Sequence, residues 1–190
     1  MLVLGGTGFI GRHFVDAALK RSDFKLTILS RGSRLELFAG VERIACDREN
    51  FQRCQSCLRE RHFDRVVDFS GTNFSRVLNT VSSVQTDHYT FLSTSAVDLA
   101  TRGDPYLEMA KEKLWCEHAI AKAFDTVAVR AGFVVGDHDS SDRFEQRKGQ
   151  WFWKDTDRPV HPLVTARMLA STLYTLSFYQ FCGVVRGGYE

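Results

Sequence analysis

Residues 5–11 read Gly5-Gly6-Thr7-Gly8-Phe9-Ile10-Gly11, directly after the short apolar run Leu2-Val3-Leu4. Glycines at this spacing suit the close approach of a main chain to phosphate. Gly5 permits a tight turn, Gly8 lets the backbone reach a pyrophosphate, and Gly11 lets the next helix pack closely on the strand. The unpaired N–H groups and positive end of a helix starting here would face the anion. Ile10, Phe14 and Ala18, with Val15 and Leu19, recur at the spacing of an amphipathic helix. Strand, glycine turn and helix thus stand in the order that makes the motif a dinucleotide site rather than a plain turn.

Other groups capable of chemistry carry less. Cys46, Cys54, Cys57, Cys116 and Cys182 are scattered and odd in number. Cys54-x-x-Cys57 has no second pair and lies in a charged helical stretch, so the thiols read as reduced and no metal site is expected. His138 and His161 are lone loop histidines, placed to touch a ligand or simply solvated. Trp151-Phe152-Trp153 could cover a cofactor or substrate ring, form a partner patch, or fill an edge of the core; the last reading is preferred.

The elements that must position these groups follow from composition and periodicity. The chain has 190 residues, 44% hydrophobic and 25% charged, enough for one sizeable core. A net charge of +2 argues against a dedicated nucleic-acid or membrane surface. No apolar run approaches the ~20 residues that span a bilayer. Met1 stands at the mouth of the first strand, which leaves no room for a signal peptide and gives a cytoplasmic expectation.

Further strands are expected at Phe24–Leu29, Val41–Ala45, Asp64–Phe69, His88–Ser93 and Thr126–Val135. Helical patterns fall between them at Phe51–Arg61, Phe74–Gln85 and Pro105–Phe124, the last capped by Asp104 with Pro105 in its first turn. A late helix is expected over Leu163–Tyr179, capped by Thr165. Such alternation implies an α/β fold: a doubly wound, mainly parallel Rossmann sheet with helices on both faces and the ligand along one edge. Residues 1–135 form the dinucleotide-binding core. Residues 136–190 form a reduced C-terminal substrate region packed on the same domain, with a long polar interval from Gly136 to Pro159.

An ordered set of segments carries a family resemblance. Gly5–Arg12, Ser30-Arg31-Gly32, Val41–Asp47, Phe63–Gly71, His88–Ser95, Val129–Gly136 and Ser141–Phe144 follow one another at familiar spacing. The chain resembles the NAD(P)-dependent epimerase/dehydratase branch of the extended short-chain dehydrogenase/reductases over residues 1–145, with an echo in 158–178. The resemblance implies that Gly5, Thr7, Gly8, Phe9, Ile10 and Gly11 cradle the cofactor. It also implies that Asp47 lies beside the adenine, and that Ser70 with Gly71 passes the nicotinamide ribose. Asp47 could equally be a loop residue that caps the next helix. Arg31 stands where an acidic residue would hold both ribose hydroxyls of NAD. Arg12, Arg31 and Arg34 could converge on a 2′-phosphate, which favours NADP(H) over NAD(H).

Enzymes of this family use a Ser or Thr, a Tyr, and a Lys four residues after the Tyr. The phenol moves a proton while hydride passes to or from the nicotinamide, and the Lys lowers the Tyr pKa and bonds the ribose. Thr94 matches the hydroxyl position and Lys113 the lysine, but Met109 stands where the Tyr belongs. Tyr106 is the candidate substitute, although seven helical residues separate it from Lys113 by about 10.5 Å along an axis. Ala131-Gly132-Phe133 replaces the usual proline-bearing turn beneath the nicotinamide.

Three functions compete on these grounds. The first is an NADP(H)-binding epimerase/dehydratase-like oxidoreductase acting on a small or nucleotide-linked carbonyl or alcohol. The second is a dinucleotide-binding sensor or scaffold that has lost proton transfer. The third is RNA binding, as in chloroplast stem-loop RNA-binding proteins that look like epimerases. Arg48, Arg53, Arg59, Arg61 and Arg65 suggest it, but Asp47, Glu49, Glu60 and Asp64 interleave them, so the pattern reads as a solvated face. Relatives often pair through the helices beginning near Phe74 and Pro105, which implies a homodimer.

Overall fold

Leu2, Val3 and Leu4 are all fully buried, as a strand covered on both faces requires. A computed structural model describes residues 1–21, 25–32, 34, 36–99, 106–139 and 163–187. The elements begin with β1 (Leu2–Leu4), α1 (Phe9–Leu19), β2 (Thr27–Ser30), β3 (Glu42–Ala45), α2 (Phe51–Leu58), β4 (His62–Asp68) and α3 (Phe74–Val81). β5 (Gln85–Thr94), a short α4 (Ala96–Leu99), α5 (Leu107–Ala123), β6 (Asp125–Ala131) and β7 (Phe133–Val135) follow. The last are β8 (Leu163–Thr165), α6 (Ala166–Phe178) and β9 (Gly183–Gly187).

Among the described residues, one sheet runs β3-β2-β1-β4-β5-β6-β9 with every neighbouring pair parallel. β7 and β8 form a separate parallel pair. The strand order reverses between β1 and β4, the crevice where open α/β sheets of this kind bind ligands. Successive side chains alternate across the sheet and build two cores. Val3, Ile28, Val67 and Val129 pack under α1 and α6 with Phe14 and Leu173. Leu2, Leu29, Val66 and Phe91 pack under α2, α3 and α5 with Leu58, Val77 and Ile120. Among the described residues no helix is long and apolar enough to cross a membrane.

Several expected boundaries move. The run expected as one strand, Thr126–Val135, is two: β6 ends at Ala131, and Phe133–Val135 leaves the main sheet to pair with β8. Gly132 marks the break, its N–H bonded to the Gly187 carbonyl at 3.0 Å. A run of strand-forming residues does not reveal such a change of partner. The late helix starts at Ala166 rather than Leu163, because Leu163–Thr165 pairs as strand; Thr165 is its cap, accepting the Met168 N–H at 3.3 Å. α2 stops at Leu58 and is capped by Asn50, which accepts the Arg53 N–H at 3.0 Å. α3 stops at Val81, and Gln85 already belongs to β5. α4 and β9 were not anticipated. Phe24, Asp104 and Pro105, expected at element starts, lie outside the described residues.

Candidate functional site

Gly5 adopts φ 77°, in the left-handed region that favours glycine. Its carbonyl accepts the Gly8 N–H at 3.0 Å, closing the turn, and the Arg12 N–H continues to Gly8 O at 3.0 Å. A Cβ on Gly11 would lie 2.3 Å from the Gly5 oxygen, and one on Gly5 would lie 2.8 Å from the Ser70 Cβ. Neither position has room for a side chain, so helix and turn close on bare backbone. Above the turn a cleft of about 390 Å³ opens at the C-terminal ends of the central strands, with Thr7, Gly8, Phe9, Arg31, Asp47 and Ser70 on its walls. The structure thus brings together most of the expected cofactor residues. Gly11 and Arg12 do not line this cleft, and Ile10 and Lys113 line a second one.

Of the three expected arginines, Arg31 and Arg34 line the cleft and Arg12 does not. Arg12 Nε donates to the Thr7 carbonyl at 3.2 Å, and Arg34 Nη1 donates to the same oxygen at 3.1 Å. Arg31 is exposed beside them and lines the cleft. Asp47, also on the cleft, accepts the Glu49 N–H through Oδ1 at 3.1 Å, and Asn50 rather than Asp47 caps α2.

Sequence reasoning missed the group at the cleft floor. Arg48 forms a bidentate pair with Asp68, Nη1–Oδ1 2.9 Å and Nη2–Oδ2 2.6 Å, and Nε donates to Thr80 at 2.7 Å. Tyr89 donates to Asp68 Oδ2 at 2.9 Å. Burial pushes the Asp68 carboxyl up, but the Arg48 charge and the hydrogen bonds from Arg48, Ser70 and Tyr89 outweigh it and hold the pKa below the usual carboxylate value. Burial beside the same carboxylate drives the Tyr89 phenol well above its ordinary value. The one sequence signal was an Asp closing the otherwise apolar Val66-Val67 run. Cys54, from the Cys-x-x-Cys pair, is buried on the inner side of α2 with its sulfur 3.7 Å from that of Cys46.

A second cleft, about 210 Å³, meets the first at Phe9 and lies between the ends of β5 and β6 and the start of α5. Thr94, Tyr106, Met109, Lys113 and Gly132 line it together. Thr94 Oγ1 accepts the Ala96 N–H at 3.3 Å, so this hydroxyl also holds its turn. Tyr106 is the residue immediately before α5, and its carbonyl takes the Ala110 N–H at 2.8 Å. Lys113 Nζ donates to the Leu92 carbonyl at 2.8 Å and lies 4.6 Å from the Phe91 ring centre. Burial lowers the Lys113 pKa from its ordinary value, while the Asp68 charge works against the shift. Met109 is 40% exposed at the cleft.

Behind this cleft Glu117 is buried in α5, accepting from Ser93 and forming a pair with Arg130 at 2.7 Å. Arg130 also reaches Asp98 at 2.6 Å, and Asp98 takes Arg186 of β9 at 3.0 Å. These charges tie the ends of β5, β6 and β9 to α5. His138 has φ 74°, lines the first cleft and packs against His13 with ring centres 5.3 Å apart. His161 and Trp151-Phe152-Trp153 lie outside the described residues.

Comparison with known proteins agrees with this architecture. The chain is similar in structure to UDP-glucose 4-epimerase of Thermus thermophilus, solved as a complex with NAD: TM-score 0.75, 20% identity, covering 98% of this chain and 76% of that one. It is also similar to UDP-glucuronic acid 4-epimerase of Bacillus cereus in complex with NAD, at TM-score 0.73 and 20% identity over 100% of this chain and 77% of that one. Pal from Bacillus thuringiensis gives TM-score 0.76 at 16% identity over 98% and 77%. At such identities the likeness is one of fold. A search of curated proteins gives no match. The family model described as NAD dependent epimerase/dehydratase matches residues 1–102, more than half of the 190-residue chain. The glycine turn, the reversal in strand order and this match together make the chain a member of the NAD dependent epimerase/dehydratase family.

Proposed function

We propose that the protein binds a nicotinamide dinucleotide along the two joined clefts, with NADP(H) as the preferred form. In this reading it acts as an epimerase/dehydratase-like oxidoreductase on a small or nucleotide-linked carbonyl or alcohol. The observation that carries the reading is the turn at Gly5–Gly11, which closes on bare backbone and leaves the space above it open. Backbone from Gly5 to Gly11, with Thr7, Phe9 and Ile10, would cradle the pyrophosphate at the start of α1. Asp47 serves the adenine, and Ser70 and Lys113 serve the nicotinamide ribose. Arg31 and Arg34, both on the cleft, would meet the 2′-phosphate, with Arg12 donating to the same Thr7 carbonyl as Arg34. The nicotinamide, when bound, supplies hydride transfer.

Substrate chemistry falls to Thr94, Lys113 and Tyr106. The Thr94 hydroxyl positions the reacting oxygen. Lys113, a partly desolvated amine, lowers the pKa of a nearby phenol when charged. Tyr106 moves the proton, a role supported by its place in the same cleft as Thr94 and Lys113. In this reading residues 136–190 would supply the substrate side; of these, the described α6 packs on α1 and β9 pairs with β6. A homodimer through α3 and α5 fits their shared exposed apolar face, where Phe74 packs edge-on to Trp115 at 6.3 Å and Leu78 is exposed.

A second reading rests on Met109, a thioether at the cleft in place of a phenol: dinucleotide binding without turnover. Oxidation of NADPH across a panel of carbonyls and sugar nucleotides separates the two. Turnover that depends on an added substrate and falls in Tyr106→Phe supports the oxidoreductase. Tight cofactor binding with no turnover on any substrate supports the sensor.

A further inference from the structure

Arg48 leaves the β3–α2 connection and passes beneath the first cleft to Asp68; the two are 5% and 0% exposed. Four of its five N–H groups meet fixed acceptors: Asp68 at 2.9 and 2.6 Å, Ser70 Oγ at 2.8 Å and Thr80 Oγ1 at 2.7 Å. Asp68 also accepts the Ser70 backbone N–H at 2.8 Å and the Ser70 hydroxyl at 3.3 Å. Ser70 is therefore held by both its amide and its side chain. Its Cβ is the atom that a side chain on Gly5 would strike, at 2.8 Å. The Gly5 carbonyl in turn receives the Gly8 N–H at 3.0 Å and faces Gly11. Direct contact runs without a gap from Thr80 through Arg48, Asp68 and Ser70 to the turn that opens α1.

A buried ion pair is weak evidence for stability, since apolar residues of similar volume often serve the fold as well. What an apolar pair cannot do is present a planar fork to three acceptors at once, and an ammonium cannot do it either. The geometry points to Arg48 and Asp68 as positioning residues of the dinucleotide site. Their hold on Ser70 fixes the side of the glycine turn that sets how the backbone meets a pyrophosphate. The inference rests on the dinucleotide reading of the cleft.

The test compares the full chain with Arg48→Lys and with the double variant Arg48→Leu/Asp68→Leu. Melting temperature is measured beside the affinities for NADPH, ADP and adenosine. In variants that retain a cooperative transition, NADPH and ADP are expected to bind about tenfold more weakly, the scale of one misplaced charge-assisted hydrogen bond. Adenosine, which lacks the pyrophosphate, is expected to bind unchanged, a split that general loosening of the fold would not produce. Affinity for ADP and NADPH equal to that of the unaltered chain overturns the inference, as does an equal loss for all three probes. If the double variant does not fold, Arg48→Lys, which keeps a charge opposite Asp68, carries the same two outcomes. Failure of the unaltered chain to bind NADPH or ADP instead removes the dinucleotide reading itself.

Discussion

Met109 lies one helical turn before Lys113 on α5, and both side chains line the cleft that holds Thr94 and Tyr106. The position that the proposed oxidoreductase reading gives to a phenol thus lies on the cleft wall, but it is held by a group that cannot transfer a proton. Restoring the phenol is the direct test of its importance. Met109→Tyr is expected to raise substrate-dependent NADPH oxidation by about 10²–10⁴-fold, the usual contribution of a placed acid/base. If Tyr106 supplies residual proton transfer, Tyr106→Phe removes it while the Met109→Tyr, Tyr106→Phe double variant keeps the gain. Steady-state rates on one responsive substrate check both.

The glycine turn makes a steric prediction. Gly11→Ala would place a methyl 2.3 Å from the Gly5 carbonyl oxygen, which is backbone and cannot swing aside. The variant is expected to lose about 1–3 kcal/mol of stability by overpacking and to lose dinucleotide affinity with it. Urea denaturation and a cofactor titration measure the two effects.

The parts of this architecture legible in the sequence are those with local causes. The glycine spacing and the apolar runs of β1, β4 and β5 announce themselves, as does the helical period of α5, because each depends on neighbours within a few residues. Met109 was legible as a departure for the same reason. The Arg48–Asp68 pair was not: its partners are 20 residues apart, one in the β3–α2 connection and one at the end of β4, and each alone reads as an ordinary charge. Nor was the division at Gly132, since only the distant β8 and β9 show that Ala131 and Phe133 serve different sheets.

Asp68 gives a pH dependence with a definite sign. Its folded-state pKa is held below the ordinary value of 3.8 by Arg48 and its hydrogen-bond donors, which outweigh burial. Its contribution to stability is therefore complete above the unfolded pKa and is lost as pH falls through the depressed folded value. Asp68→Asn is expected to remove that acid-side loss. It also leaves the Arg48 charge buried and unpaired, lowering stability near neutrality by about 3–5 kcal/mol. Chemical denaturation from pH 7 down to about pH 2 tests both.

Glu117 and Asp98 share Arg130 but not their surroundings. The Glu117 side chain is 6% exposed against 23% for Asp98. Glu117→Ala leaves Arg130 half-paired in the interior and is expected to cost about 3–5 kcal/mol. Asp98→Ala is expected to cost about 1 kcal/mol or less, since its site is nearer solvent. Equal costs in denaturant titrations would contradict this ranking.

In the proposed function the paired clefts bind a nicotinamide dinucleotide and favour the 2′-phosphorylated form. Equilibrium titration of the full chain with NADPH and with NADH tests it most directly, with Arg31→Ala as the control. Saturable binding of both is expected, tighter for NADPH, with a loss of about tenfold for NADPH alone in Arg31→Ala. Saturable binding of neither cofactor would contradict it.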